Sequence, residues 1–207
     1  MQVRFLPRAP RMIKVILFDV DGMVNKRARY FSHDYSEEFG VPYQEMQPFF
    51  EKEFLDCEVG KADLKIELAV YLLKWKWEKP VEEFLEYWFS RESNLDSQML
   101  DSVAKLRSGG LKCYLQTRNE KYRTGYLWDT LGLKKHFDGI FSSADLGFMK
   151  PQIEFWAAIY KKLGDLKKDE VLVWDDKMAN VQSARDFGFQ AELFSDFDSY
   201  QDYVNKH

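Results

Sequence analysis

Apolar and polar positions divide the chain into three stretches. Residues 13–20 are short, nearly continuously apolar and rich in β-branched and aromatic side chains, which predicts a buried strand. Between about residues 25 and 90 the apolar positions recur at helical spacing. Met46, Phe49, Phe50 and Phe54 form one stripe, Leu64, Leu68, Leu72 and Trp75 a second, and Val81, Phe84, Leu85, Trp88 and Phe89 a third. These predict a small helical bundle packed with aromatic side chains, with the tryptophans of KWKW (74–77) in its core.

After residue 95 the pattern changes to helices alternating with strands. A helix carrying Met99, Leu100, Val103 and Leu106 leads to a strand over 111–116. A helix over 126–131 precedes a short strand at 139–141. A helix carrying Ile153, Trp156, Tyr160 and Leu163 precedes VLVW (171–174), and a strand at 190–194 precedes a C-terminal helix. Buried strands alternating with helices predict a Rossmann-like α/β fold, a parallel sheet covered by helices on both faces. The all-helical segment then interrupts that sheet after its first strand. The expected division is a poorly ordered leader over residues 1–12, an α/β core over 13–24 and 91–207, and a helical cap over 25–90.

Open parallel sheets bind ligands at the carboxyl ends of their strands. Asp19 and Asp21 follow the first predicted strand, Thr117, Arg118 and Asn119 the second, and Asp175 and Asp176 the fourth. In extended chain, residues two apart share a face, so Asp19 and Asp21 would lie side by side and raise each other's pKa. Asp21-Gly22 alone reads equally as a turn or as part of a cation site. Four carboxylates in one crevice, however, call for a compensating hard cation, and Mg²⁺ suits carboxylates combined with water and phosphate. Lys150, just before Pro151, would bring an ammonium to the same crevice, with the proline opening a helix whose N-terminus faces an anion. Asp175-Asp176 also reads as an N-terminal cap for a helix beginning near Met178, with Asp175 the stronger metal candidate. Asn180 could serve the site or lie on a solvated face.

Bulk properties narrow the functions. With 45% hydrophobic residues the chain can bury a real core, and 16% aromatic content gives large side chains to pack or to line a pocket. A formal net charge of −4 and an acidic helical segment argue against a nucleic-acid surface. No stretch approaches the roughly 18 apolar residues that span a bilayer. Cys57 and Cys113 stand far apart and suggest neither a disulfide framework nor a cysteine metal site, which fits a reducing, cytoplasmic setting. His33, His136 and His207 lack companions at metal-ligand spacing, and Arg27, Arg29 and Tyr30 read as a solvated hinge.

Four motifs then stand in order: FDVDG (18–22), a strand ending in Thr117, Lys150-Pro151, and VWDDKMANVQSA (173–184). In this the chain resembles the haloacid dehalogenase superfamily of hydrolases, in the subgroup with a helical cap inserted after the first strand. The resemblance implies a Mg²⁺-dependent phosphatase acting on a small phosphorylated metabolite, a sugar phosphate or a nucleotide, as a monomer or homodimer. It implies Asp19 as the nucleophile that forms an aspartyl-phosphate, and Asp21 as the general acid and then base. Asp19, the main-chain carbonyl of Asp21, Asp175 and Asp176 would serve the metal. Thr117 and Lys150 would bind the phosphate, joined by Arg118, which stands where many relatives carry asparagine. A phosphosugar mutase of the same superfamily and a catalytically idle binding protein are the alternatives.

Overall fold

The computed structural model describes residues 12–206; the leader expected over 1–12 lies, except for Met12, outside the described residues. Five strands form one parallel sheet: β1 (Val15–Asp19), β2 (Lys112–Thr117), β3 (Gly139–Ser142), β4 (Val171–Asp175) and β5 (Gln190–Leu193), in the spatial order β3-β2-β1-β4-β5. β1 occupies the centre, paired with β2 from Val15↔Lys112 to Asp19↔Gln116 and with β4 from Val15↔Val171 to Phe18↔Trp174. All five residues of β1 and of β4 are buried, as expected of strands covered on both faces.

The two-residue period of β1 sends alternate side chains into two separate cores. Ile16 and Phe18 join Met99, Val103, Leu115, Trp174 and Tyr200 on one face. Val15 and Leu17 join Phe155, Trp156, Ile159, Val173 and Val181 on the other. A third cluster, including Phe31, Tyr35, Phe49, Trp75, Trp77 and Phe84, belongs to the inserted helices α1 (Phe31–Phe39), α2 (Tyr43–Glu51), α3 (Glu53–Glu58), α4 (Leu64–Leu72) and α5 (Val81–Arg91). Its rings pack edge-on more often than stacked, as between Phe31 and Phe84 at 5.8 Å and 88°, an arrangement that aligns ring edges with electron-rich faces. Trp75 and Trp77 are core residues of this cluster.

The chain enters and leaves the insert through two segments clipped together. Lys26 N–H donates to the Asn94 carbonyl at 2.8 Å and Asp96 N–H to the Val24 carbonyl at 2.9 Å. Asn25, wholly buried, completes the clip: its Oδ1 accepts Asn94 N–H at 2.7 Å, and its Nδ2 donates to the Glu92 carbonyl at 2.8 Å. Beyond the insert, α6 (Ser97–Ser108) is capped by Asp96, whose carboxylate accepts from Gln98 and Met99 N–H.

Two helical expectations shift. The segment expected as a helix over 126–131 is instead α7 (Lys121–Gly125) running into a single π turn, Tyr126–Thr130. After the short α8 (Ser143–Leu146), the helix expected to open at Pro151 begins at Ile153 as α9 (Ile153–Leu163). Gln152 Oε1 accepts Met149 N–H at 3.0 Å and keeps residues 149–152 in a turn, so Pro151 precedes the helix and its N-terminus starts further along. α10 (Met178–Phe187) follows β4 and α11 (Phe197–Lys206) closes the described chain. No helix among the described residues is long and apolar enough to cross a membrane.

Candidate active site

The carboxyl ends of β1, β2 and β4 converge, and their polar residues line one cavity of about 540 Å³ together with side chains from α1, α2, α3 and α5. At its base Lys150 Nζ donates to Asp19 Oδ1 at 2.8 Å and to Asp175 Oδ2 at 2.7 Å, with all three residues buried. Asp19 Oδ1 also accepts Val20 N–H, which leaves Oδ2 the freer oxygen. Burial pushes the Asp19 carboxyl up to about 8; the Lys150 charge opposes this, and Asp175 and Asp176 add to it. Burial works against the Lys150 ammonium as well, but Asp19 and Asp175 outweigh it and hold its pKa above the ordinary range.

The two aspartates after β4 are held unequally. Asp175 accepts four hydrogen bonds: from Lys150 and Gln116 on Oδ2, and from Lys177 N–H and Asn180 Nδ2 on Oδ1. Burial would raise its pKa, yet Lys150 and these donors hold it below the ordinary carboxylate value. Thus Asp175, and not Asp176, ties down the start of α10, and Asn180 is buried against it instead of facing solvent. Asp176 Oδ1 is buried with no hydrogen-bond partner.

That orphaned oxygen is the sign of a cation site. Carboxylate oxygens of Asp19, Asp175 and Asp176 lie within 4.8 Å of one another, and an all-oxygen set of this kind suits a hard ion such as Mg²⁺. Gly22 makes room for the Asp176 carboxylate. With φ at +97° and an added Cβ 2.3 Å from Asp176 Oδ2, this position admits no side chain.

Asp21 lies apart from the carboxylate cluster. β1 stops at Asp19, so the two-residue period no longer governs Asp21, which sits in the following turn. Its Oδ1 accepts from Asn25 Nδ2 at 2.8 Å and its Oδ2 from Asn119 Nδ2 at 3.0 Å. The charges that raise the Asp19 pKa are accordingly Asp175 and Asp176 and not Asp21. Asn119 Nδ2 also donates to Thr117 Oγ1 at 2.7 Å, joining the ends of β1 and β2. Arg118 reaches the cavity but commits its guanidinium to Glu58 of α3, with Nη2 at 2.8 Å and Nε at 3.1 Å from one oxygen.

Asn25 and Glu58 carried no expectation as site residues, and Asn119 was expected only as one of the polar residues after β2. Asn119 had a visible signal: the asparagine common in relatives directly after the strand-ending threonine stands one position later here. Asn25 and Glu58 act across 67 and 60 residues of sequence, a separation no local pattern reveals. Further contacts fasten the insert to the sheet: Asp63 accepts from Lys121 Nζ at 2.6 Å and from the Tyr122 hydroxyl at 3.0 Å. At Gly60, a Cβ would come within 2.5 Å of the Ala144 carbonyl, so the two parts touch there backbone to backbone.

Known proteins share this fold. A predicted HAD-like family hydrolase from Porphyromonas gingivalis superposes with a TM-score of 0.76 at 20% identity, over 95% of this chain and 98% of its own. A HAD family enzyme from Bacteroides thetaiotaomicron, solved in complex with magnesium and inorganic phosphate, gives 0.75 at 18% identity, over 91% and 98%. At these identities the likeness is one of fold. A sesquiterpene phosphatase from Aspergillus oryzae is 31% identical over 99 residues, 45% of this chain and 47% of that protein. A drimenol cyclase from Aspergillus calidoustus is 38% identical over 65 residues, 12% of its own length, so the chain spans less than half of either curated relative. The profile of the haloacid dehalogenase-like hydrolases matches residues 16–192, from the first strand to the last, and the chain belongs to that family.

Proposed function

We propose that this chain is a Mg²⁺-dependent phosphatase that hydrolyses a small phosphorylated metabolite through an aspartyl-phosphate. The observation that carries the reading is Asp19, buried at the end of the central strand, held by Lys150 and flanked by Asp175 and the unpartnered Asp176. The phosphatase among its relatives supports the same reading. Residues 13–24 and 91–207 are the catalytic core, and residues 25–90 are a cap that closes over the substrate and excludes water.

Asp19 attacks phosphorus through Oδ2, and the ester P–O bond breaks as the new one forms. Asp21 gives a proton to the departing alcohol oxygen and then takes one from the water that hydrolyses the aspartyl-phosphate. Asn25 and Asn119 hold the two oxygens of Asp21 in place. Thr117 and Lys150 bind the phosphoryl oxygens, where developing charge is stabilised. Asp19, Asp175, Asp176 and the main-chain carbonyl of Asp21 would hold Mg²⁺, and Asp175 also anchors Lys150. When bound, the ion supplies electrostatic stabilisation to the phosphoryl oxygens. Arg118, held by Glu58, is a latch between core and cap instead of a phosphate ligand.

The test is phosphate release from p-nitrophenyl phosphate and acetyl phosphate, with Mg²⁺ and with chelator, by wild type and Asp19→Asn. Metal-dependent release that vanishes in the variant is expected. Release that persists in Asp19→Asn would remove Asp19 as nucleophile, and no release from these compounds or from a panel of sugar phosphates, nucleotides and alkyl phosphates would overturn the phosphatase reading. Isomerised sugar phosphate in place of free phosphate would identify a mutase.

A further inference from the structure

The cavity has two chemically distinct ends. Its floor is the polar cluster of Asp19, Thr117 and Lys150; its helical wall is Tyr30, Tyr43, Phe50, Phe54, Leu55 and Trp88. The rings of Phe50, Phe54 and Trp88 pack on one another with centroids 5.5–5.6 Å apart, making one continuous apolar face. Beside it, Tyr30, Tyr43 and Leu55 remain 56%, 37% and 37% exposed, although the same helices bury Phe31, Phe49 and Phe84 almost completely. Apolar surface left towards water in a concave site gains free energy when an apolar ligand covers it.

The charges around that wall are already neutralised. Arg27 pairs with Glu92 at 3.1 Å and lies 3.9 Å over the Tyr30 ring, and Arg118 pairs with Glu58 at 2.8 Å. Each guanidinium is thus already charge-paired, which weakens its pull on a second phosphate or a carboxylate. Lys177 also lines the cavity, but it stands two residues after Asp175, at the phosphate end. A sugar or a nucleobase needs convergent polar groups; the face of Phe50, Phe54 and Leu55 offers none, and Glu58 and Glu92 beside it are already paired with Arg118 and Arg27.

Resting on the phosphatase reading, we propose that the substrate class is the monophosphate ester of a hydrophobic alcohol, alkyl or alkenyl. Its phosphate meets the floor and its hydrocarbon lies along Phe50, Phe54, Leu55 and Trp88. This replaces the sugar phosphate or nucleotide that composition left open.

The experiment is calorimetric titration of the full chain, in Mg²⁺, with ethylphosphonate, butylphosphonate and decylphosphonate, each below its aggregation concentration, beside AMP and glucose 6-phosphate. The carbon–phosphorus bond is not hydrolysed, so binding is read apart from turnover. Each methylene brought out of water is worth up to about fourfold in affinity, so decylphosphonate should bind more than about tenfold tighter than ethylphosphonate. It should also bind tighter than AMP and glucose 6-phosphate, and Leu55→Asp should flatten the series. A flat series in wild type, or tighter binding of either polar phosphate, overturns the proposal without recourse to any variant. Hydrolysis of ethyl and decyl phosphate, followed in parallel, separates the two readings. Binding of decylphosphonate with neither ester hydrolysed leaves the apolar seat standing and removes the phosphatase, whereas hydrolysis indifferent to chain length does the reverse.

Discussion

Lys150 Nζ bridges Asp19 and Asp175, at 2.8 and 2.7 Å, from a position 131 residues beyond the first and 25 before the second. One ammonium thus compensates two carboxylates that the fold buries at neighbouring strand ends. Lys150→Met keeps the length of the side chain and removes the charge. Breaking a buried ion pair from one side costs about 3–5 kcal/mol, and a loss of that order is expected at pH 7 in chelator, read by urea unfolding. Unchanged stability would mean that the two carboxyls are already neutral in wild type.

Asp176 should behave in the opposite way. Because its Oδ1 has no hydrogen-bond partner, Asp176→Ala sacrifices little in the metal-free protein, within about 0.5 kcal/mol. Mg²⁺ at a hundred times its Kd stabilises a folded protein by about 2.7 kcal/mol. The rise in Tm on adding Mg²⁺ should shrink sharply in Asp176→Ala. A shift equal to wild type would exclude Asp176 as a ligand.

Gly22→Ala tests the same oxygens from the backbone. The positive φ and the 2.3 Å approach to Asp176 Oδ2 predict a loss of about 1–3 kcal/mol and a weaker Mg²⁺ response. Since both changes act on one carboxylate, the double variant Gly22→Ala/Asp176→Ala should be less impaired than the sum of the two. Additive effects, measured by melts with and without Mg²⁺, would place the glycine's role elsewhere.

Glu120 gives a pH signature away from the carboxylate cluster. It caps α7, accepting from Tyr122 and Arg123 N–H, and burial pushes its carboxyl from the ordinary 4.5 up to about 7 against the pull of those donors. The folded state therefore binds the proton more tightly than the unfolded state. That contribution is complete below about pH 4.5 and is lost as pH rises through about 7. Glu120→Gln lacks the titration, so its stability relative to wild type should improve as pH goes from 5 to 8. Parallel unfolding curves for the two proteins across this range would contradict the shift.

Asn25→Ala removes a side chain that satisfies Asp21 Oδ1, the Glu92 carbonyl and Asn94 N–H. Leaving buried polar groups without partners costs about 1–3 kcal/mol each, so a loss of several kcal/mol is expected by urea unfolding. Hydrogen exchange should quicken at Asn94 N–H. Protection equal to wild type there would show that the main-chain bonds alone hold the clip.

Much of the fold was legible because β1 and β4 are buried on both faces. Val15–Phe18 and Val171–Trp174 therefore read as unbroken apolar runs with polar residues waiting at their ends. The convergence of Asp19, Thr117 and Asp175 follows from a rule about strand ends and needs no side-chain detail, whereas Lys150 reaches them from the turn before α9. The orientation of Asp21 was not legible. It depends on β1 ending at Asp19, and a strand's last residue is set by pairing with β2 and β4. Asn25 and Asn119 lie in connections without periodicity, and the Arg118–Glu58 pair joins residues that no spacing relates. The unequal hydrogen bonding of Asp175 and Asp176 follows from four donors meeting on one carboxylate, which only the folded arrangement brings together.

The clip formed by Asn25, Lys26, Asn94 and Asp96 also bears on how the chain reaches its structure. β1 must find β2 across the whole insert, a distant partnership of the kind that slows folding. If the helices between them condense first around their own aromatic cluster, the two ends of that segment arrive already side by side. The remaining search is then that of a short connection, since closure entropy grows only with the flexible length still to be spanned. An insertion placed after the first strand need not delay assembly of the central sheet; clipped at its base, it hands the sheet its second strand.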